Sequence, residues 1–377
     1  MSSSRSTFSS GGKFAAFRTE LEDGKSLVEW MRMQPWYTGT FATIRRSYLG
    51  YVQWALLCEP PEDLVAVQYQ WSSPSGDDHS LSYIIGEANL WLHDILSKSD
   101  ISDPHYSLMR FERALERTNV PVLIVTGWYD LFHEGCNVSL TVGPWKHMDL
   151  IAASKGHRQG FDWTEQHLGG RVAMQRASVA EYFGTSAQEW RSLPDFAPAT
   201  TLTTFFLGGG GRLTREVQLA LEDLASSSFT YYPRKPTPSI RGLCLLTPGS
   251  VNDSAHAERS DVLVFDTAPL ENDLEFCDTP LLKLAHPTSS SFADVFVRIS
   301  EVNERGRSRN ITEVFKQTKP KHGIDGDLEL TLSYYAHRVL RGKGIRLAIA
   351  GGGCFPHYAR NRSKMRAVEH TVYHNAG

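Results

Sequence analysis

Cysteine is sparse and scattered in this chain. Cys58, Cys136, Cys244, Cys277 and Cys354 lie far apart, none forms a C-x-x-C, and their number is odd. That argues against a disulfide framework or a zinc site, and makes a reducing compartment, the cytoplasm, the simplest home. Long apolar runs are missing too. No window approaches the roughly eighteen residues of a membrane-spanning helix. The start, MSSSRSTFSS, has no apolar run, so a secretory signal is not expected. An excess of one charge is also lacking. The formal net charge is −3 and no basic block stands out, so nucleic acid and membrane are not expected partners. What is present is core material. With 41% hydrophobic and 21% charged residues over 377 positions, two packed domains are within reach.

The two halves read differently. Up to about Arg191, strand-like runs alternate with helical stretches. EDGKSLVEWMRMQPW carries Leu27, Val28 and Met31 at helical spacing, acids at its start and Pro35 as a stop. DLVAVQY, PVLIVTGWYD and VSLTVGPWKH contain nearly continuous apolar runs, as expected of strands buried on both faces. Strands alternating with helices predict a mostly parallel α/β sheet. From about Pro198 short strands dominate: TLTTFFLGG, DVLVFDT, ADVFVRIS and IRLAIAG, broken by Gly, Pro, Asn and Asp. That spacing predicts an all-β jelly-roll sandwich. LPDFAPATT is the linker, which sets domains at 1–195 and 200–377. Gly208 to Gly211 lacks a following G-K-[ST] and reads as a β-turn rather than a phosphate loop.

One constellation carries chemistry. Ser47 precedes an apolar helical stretch containing Val52, Ala55 and Leu56. Asp130 and His147 each follow a buried-strand candidate. Open α/β sheets place their sites at strand C-terminal ends. A serine hydroxyl is a weak nucleophile until a histidine takes its proton and a carboxylate orients that histidine. The order Ser47, Asp130, His147 is that of α/β-hydrolases. With 14 histidines in the chain, order alone is weak support. Ser47 reads equally as a turn residue, Asp130 as the end of a strand and His147 as a surface histidine. His133, His157 and His167 read as ordinary surface residues.

RRSYLGYVQW, TGWYD, VGPWKH and FPHYARN, taken together and in order, resemble the cocaine esterase/NonD family of serine hydrolases, related to the Xaa-Pro dipeptidyl-peptidases. The resemblance implies an α/β-hydrolase domain with a short helical cap (about 73–119) and a C-terminal jelly roll. It implies Ser47 as nucleophile, Asp130 as acid, His147 as base and the Tyr48 backbone N–H as oxyanion donor. Trp128 and Trp145, which flank the triad, become candidate substrate contacts. The substrate would be a small ester, an amide or a short peptide, with no metal or organic cofactor.

Three departures qualify that expectation. Arg45 stands where the family motif has a glycine, and should push strand and helix apart or force the turn open. RSTFSSGGKF resembles a segment that normally follows the first strands of the sheet, so the sheet is expected to be incomplete and its edge open to homodimerisation. The segment from Asp130 to His147 is short for a crossover helix. These departures keep a second reading open: a catalytically inactive, hydrolase-like binding or vestigial protein.

Overall fold

The computed structural model describes residues 5, 9–13, 15, 17–70, 98, 103–111, 114–128, 139–147, 149–170, 178–194, 198–217, 226–238, 240, 242, 249–290, 293–317, 327–352 and 366–374. The chain divides into two units. The first is Met1–Tyr182 with Arg191–Phe196, and the second is Phe183–Trp190 with Ala197–Gly377.

The first unit carries a six-stranded sheet: β1 (Phe41–Arg46), β2 (Leu64–Gln70), β3 (Val122–Gly127), β4 (Ser139–Gly143), β5 (Ala180–Gly184) and β6 (Glu189–Leu193), of which Phe183 and Gly184 of β5 and Glu189 and Trp190 of β6 are assigned to the second unit. They lie in the order β1-β2-β3-β4-β5-β6, and β1 through β5 pair in parallel. The three apolar runs seen in the sequence are β2, β3 and β4. Every residue of β3 is buried, as an interior parallel strand covered on both faces requires. Among the described strands, β1 stands at the edge with β2 as its neighbour. Most of the expected cap (73–119) lies outside the described residues. What is described there is a short 3₁₀ turn at Pro104–Met109 and a helical turn at Ala114–Arg117.

Helix α1 (Glu20–Arg32) ends before Pro35, as the sequence requires. Of the expected face, Val28 is buried and Met31 half-buried, but Leu27 turns outward. Leu27 is 43% and Trp30 50% exposed. The inner line is Glu20, Gly24 and Val28, spaced by four, and a Cβ on Gly24 would touch Leu56 of α2 (Tyr48–Leu57). A third helix, α3 (Leu150–Leu168), packs over the sheet, and at Gly160 an added Cβ would meet the Gln68 side chain at 3.0 Å. Ala66, Leu123, Val125, Trp145 and Trp163 form the core between them.

Among its described residues, the regular structure of the second unit is β-strand apart from a short 3₁₀ turn at Ser254–Glu258. Its main sheet runs β14 (Ser308–Gln317), β13 (Asp294–Val302), β17 (Gly344–Ala350), β10 (Val262–Asp266), β8 (Arg212–Thr214), β7 (Phe206–Gly208). Three antiparallel pairs complete it: β11 (Leu274–Asp278) with β16 (Tyr335–Val339), β12 (Leu281–Ala285) with β15 (Asp327–Thr331), and β9 (Ser226–Tyr231) with β18 (Val368–Tyr373). The glycines at 208–211 form the β7–β8 hairpin, with Gly210 and Gly211 in the left-handed region that glycine adopts freely. Arg298 is buried in this unit, where its Nε donates to Glu313 at 2.8 Å and its Nη1 to the Ile240 carbonyl at 3.0 Å.

Candidate active site

Strand β1 ends at Arg46, Ser47 turns the chain, and α2 begins at Tyr48. Ser47 takes φ 55° and ψ −137°, a sparsely populated conformation for a residue with a side chain. Gly50 and Tyr51 donate their N–H groups to the Ser47 carbonyl at 2.7 and 3.2 Å, which closes the first turn of α2. The Ser47 side chain stays half-buried at the corner. At the start of a helix the leading N–H groups have no helical carbonyl to meet, so the Tyr48 N–H has no acceptor within α2.

His147 comes from the turn that follows β4. Its Nε2 lies 3.0 Å from Ser47 Oγ, and the side chain is 6% exposed. Glycines make this approach possible. Gly127 and Gly143 sit opposite each other on β3 and β4. A Cβ on Gly143 would fall 2.4 Å from the Trp145 ring, and one on Gly127 would fall 2.4 Å from the Trp145 carbonyl. Trp145 therefore folds flat onto the strand ends and carries the chain to His147. Trp128 anchors the same place, its N–H donating to the Gly143 carbonyl at 2.9 Å. Both indoles are buried, Trp128 at 1% and Trp145 at 5% exposure. Asp130 lies outside the described residues, as do His133 and the FPHYARN motif. His157 is exposed, and His167 is half-buried with its ring edge-on to Trp163.

Arg45 does not open the corner. Its side chain is exposed, with Nη1 donating to the Ile44 carbonyl at 3.0 Å, and the corner below it keeps its strained dihedral. Among the described strands β1 is at the edge, and the exposed side chain does not wedge between strand and helix. Gln53 adds a brace. Turned so that donors meet acceptors, its amide accepts from the Arg45 N–H at 3.1 Å and donates to the Thr43 carbonyl at 3.2 Å.

Sequence reasoning missed the far side of the corner. The Tyr48 hydroxyl donates to Glu20 Oε1, which also accepts from the Phe17 N–H at 2.9 Å. Burial, reinforced by Glu20, pushes the Tyr48 hydroxyl well above its usual pKa. Tyr51 donates to the Phe17 carbonyl at 2.8 Å, and the Phe17 ring stands edge-on to both Tyr48 and Tyr51. The only signal available was an acid at the start of a helix, which explains itself as a partner of the helix dipole. Among the described residues, no three His, Cys, Asp or Glu side chains converge as metal ligands would, and no helix is long and apolar enough to cross a membrane.

A strained serine between a parallel strand and a helix, with a histidine beyond the end of another strand of the same sheet, is the architecture of an α/β-hydrolase. Comparison with known proteins narrows the class. Residues 171–372 match the X-Pro dipeptidyl-peptidase C-terminal non-catalytic domain, and residues 1–86 match the X-Pro dipeptidyl-peptidase (S15) family. Cocaine esterase from Rhodococcus sp. (strain MB1 Bresler) is 22% identical, over 81% of this chain and 70% of its own. Among solved structures, an aminopeptidase from a marine sediment Thaumarchaeota archaeon is 16% identical and covers 98% of this chain and 82% of its own, with a TM-score of 0.79. An α-amino acid ester hydrolase matches with a TM-score of 0.79 at 15% identity, over 97% of this chain and 82% of its own. A CocE/NonD family hydrolase from Staphylococcus aureus matches with a TM-score of 0.73 at 14% identity, over 98% and 76%. The chain belongs to the CocE/NonD-like S15 family of serine hydrolases, with an α/β-hydrolase domain followed by a C-terminal β domain.

Proposed function

We propose that the protein hydrolyses an ester or amide through an acyl-enzyme formed on Ser47. The observation that carries this reading is the 3.0 Å approach of His147 Nε2 to Ser47 Oγ on a strained strand-to-helix corner. Ser47 Oγ attacks the substrate carbonyl carbon while its proton passes to His147 Nε2. The carbonyl oxygen gathers negative charge, and the Tyr48 N–H at the start of α2 donates to it. As the tetrahedral species collapses, His147 returns the proton to the departing alcohol or amine. Water then repeats the sequence, losing its proton to His147 and releasing the acid. Asp130 is assigned to orient the imidazole from its other nitrogen.

The substrate is a small ester, an amide or a short peptide, the chemistry named for the relatives. Trp128 and Trp145 are buried at the ends of β3 and β4, beside the turn that carries His147. Direct substrate contact by either requires a movement that uncovers it. The β domain is read as a jelly-roll sandwich. A fluorophosphonate probe tests the proposal, because it phosphonylates only an activated serine. Wild-type protein should label at one site, and Ser47→Ala and His147→Ala should abolish labelling. A folded wild-type chain that the probe leaves untouched rules the reading out in favour of an inactive hydrolase-like protein.

A further inference from the structure

We infer that Glu20 is a positioning residue for the oxyanion donor: it holds Tyr48, and through Tyr48 the orientation of the Ser47–Tyr48 peptide. This rests on the reading of Ser47 as nucleophile. Glu20 is the first residue of α1, is 7% exposed, and spends one carboxyl oxygen on two bonds, to the Tyr48 hydroxyl and the Phe17 N–H. Its other oxygen, Oε2, is buried without a hydrogen-bond partner. An acid placed only to favour the start of a helix would stay in water, where the dipole interaction is gained without desolvation. This one is drawn inward to the residue next to the nucleophile.

The mechanical reason lies in the backbone. The direction of the Tyr48 N–H is set by ψ of Ser47, and Ser47 is held in a conformation that costs about 1–3 kcal/mol. Such a conformation persists only where the surroundings over-determine it. From the strand side, Gln53 grips Thr43 and Arg45. From the helix side, Tyr48 is the first residue that can be held, and its hydroxyl is bonded to Glu20 on α1. The holding point is itself rigid. Phe17 is a second non-glycine residue with positive φ, 65°, its N–H is fixed by Glu20, and its carbonyl is fixed by the Tyr51 hydroxyl. Tyr51 also donates to the Met109 carbonyl at 3.2 Å. The brace thus joins α1, α2 and the 3₁₀ turn around one peptide plane. A donor displaced by about an ångström loses its alignment with the developing oxyanion, and such misplacement costs up to about 100-fold in rate.

The test compares Glu20→Ala, Glu20→Gln, Tyr48→Phe and the Glu20→Ala/Tyr48→Phe double variant of the full chain, using an activated ester and the fluorophosphonate probe. Glu20→Ala and Tyr48→Phe should each lower kcat and the labelling rate about 10- to 100-fold, with KM changed less than about twofold. Glu20→Gln keeps an acceptor oxygen and should stay within about threefold of wild type. The double variant should fall no lower than the worse single variant, because both remove one linkage. Should Glu20→Ala fail to fold, Tyr48→Phe against Glu20→Gln carries the comparison, since neither empties the site. Wild-type rates in Tyr48→Phe, or a loss in Glu20→Gln as large as in Glu20→Ala, overturn the inference while leaving Ser47 as nucleophile. Absence of labelling in folded wild type overturns both.

Discussion

Lowering the pH from about 7.5 to about 5 should loosen the β domain around one pair of histidines. His286, next to β12, and His370, on β18, are 2% and 0% exposed. His286 Nε2 lies 3.1 Å from His370 Nδ1, and Phe229 stacks on the His370 ring at 4.6 Å. This arrangement is built for neutral rings, one supplying an N–H and the other a lone pair. Burial pushes His286 down to about 4, and burial together with His286 pushes His370 down to about 3. Because both folded pKa values lie below the unfolded value of about 6.5, the unfolded chain takes up protons first. Stability is therefore complete above about pH 6.5 and is lost as the pH falls toward 4 and 3. At pH 5 the unfolded rings sit about 1.5 units below their pKa, which amounts to about 2 kcal/mol each and about 4 kcal/mol for the pair. That is a large part of the 5–15 kcal/mol typical of a domain. Hydrogen exchange of peptides covering β12 and β18, corrected for the intrinsic pH dependence, measures it directly. Protection should drop by roughly that amount, and a His286→Leu/His370→Phe variant should keep only the smaller slope left by His256 and His374, which burial also lowers. Equal protection at both pH values in wild type, or an unchanged slope in the double variant, refutes the reasoning.

Two further expectations concern the corner. Gly143→Ala places a Cβ 2.4 Å from the Trp145 ring, so it should cost about 1–3 kcal/mol in thermal unfolding and slow probe labelling as the turn to His147 shifts. Unchanged stability would mean that Trp145 has room to move. Arg45→Gly should leave the labelling rate within about twofold of wild type, because the side chain already lies in solvent. A large gain in rate would show that Arg45 does distort the corner.

What the sequence determined by itself was local. Ser47 ahead of an apolar helix, and His147 behind Gly-Pro-Trp, are legible because each needs only neighbouring residues and small side chains where backbones meet; β1, with Arg45 and Arg46 exposed at its end, gave no such apolar run. The runs that became β2, β3 and β4 are legible because burial on both faces leaves a continuous apolar signature. Helix α3 was not, since Gly156 and Gly160 interrupt its pattern; Gly160 stands where an added Cβ would meet the Gln68 side chain, a contact set by the sheet. Arg45 shows the limit most plainly. Its identity breaks the motif, yet the outcome depends on whether solvent or protein lies beside the strand, which no stretch of sequence records. Glu20 is the converse: an ordinary helix-opening acid in sequence, it meets Tyr48 only because α1 packs on α2 with Glu20, Gly24 and Val28 facing inward. Local motifs specify which groups can react. The long-range packing of one element on another decides which of them are held in place.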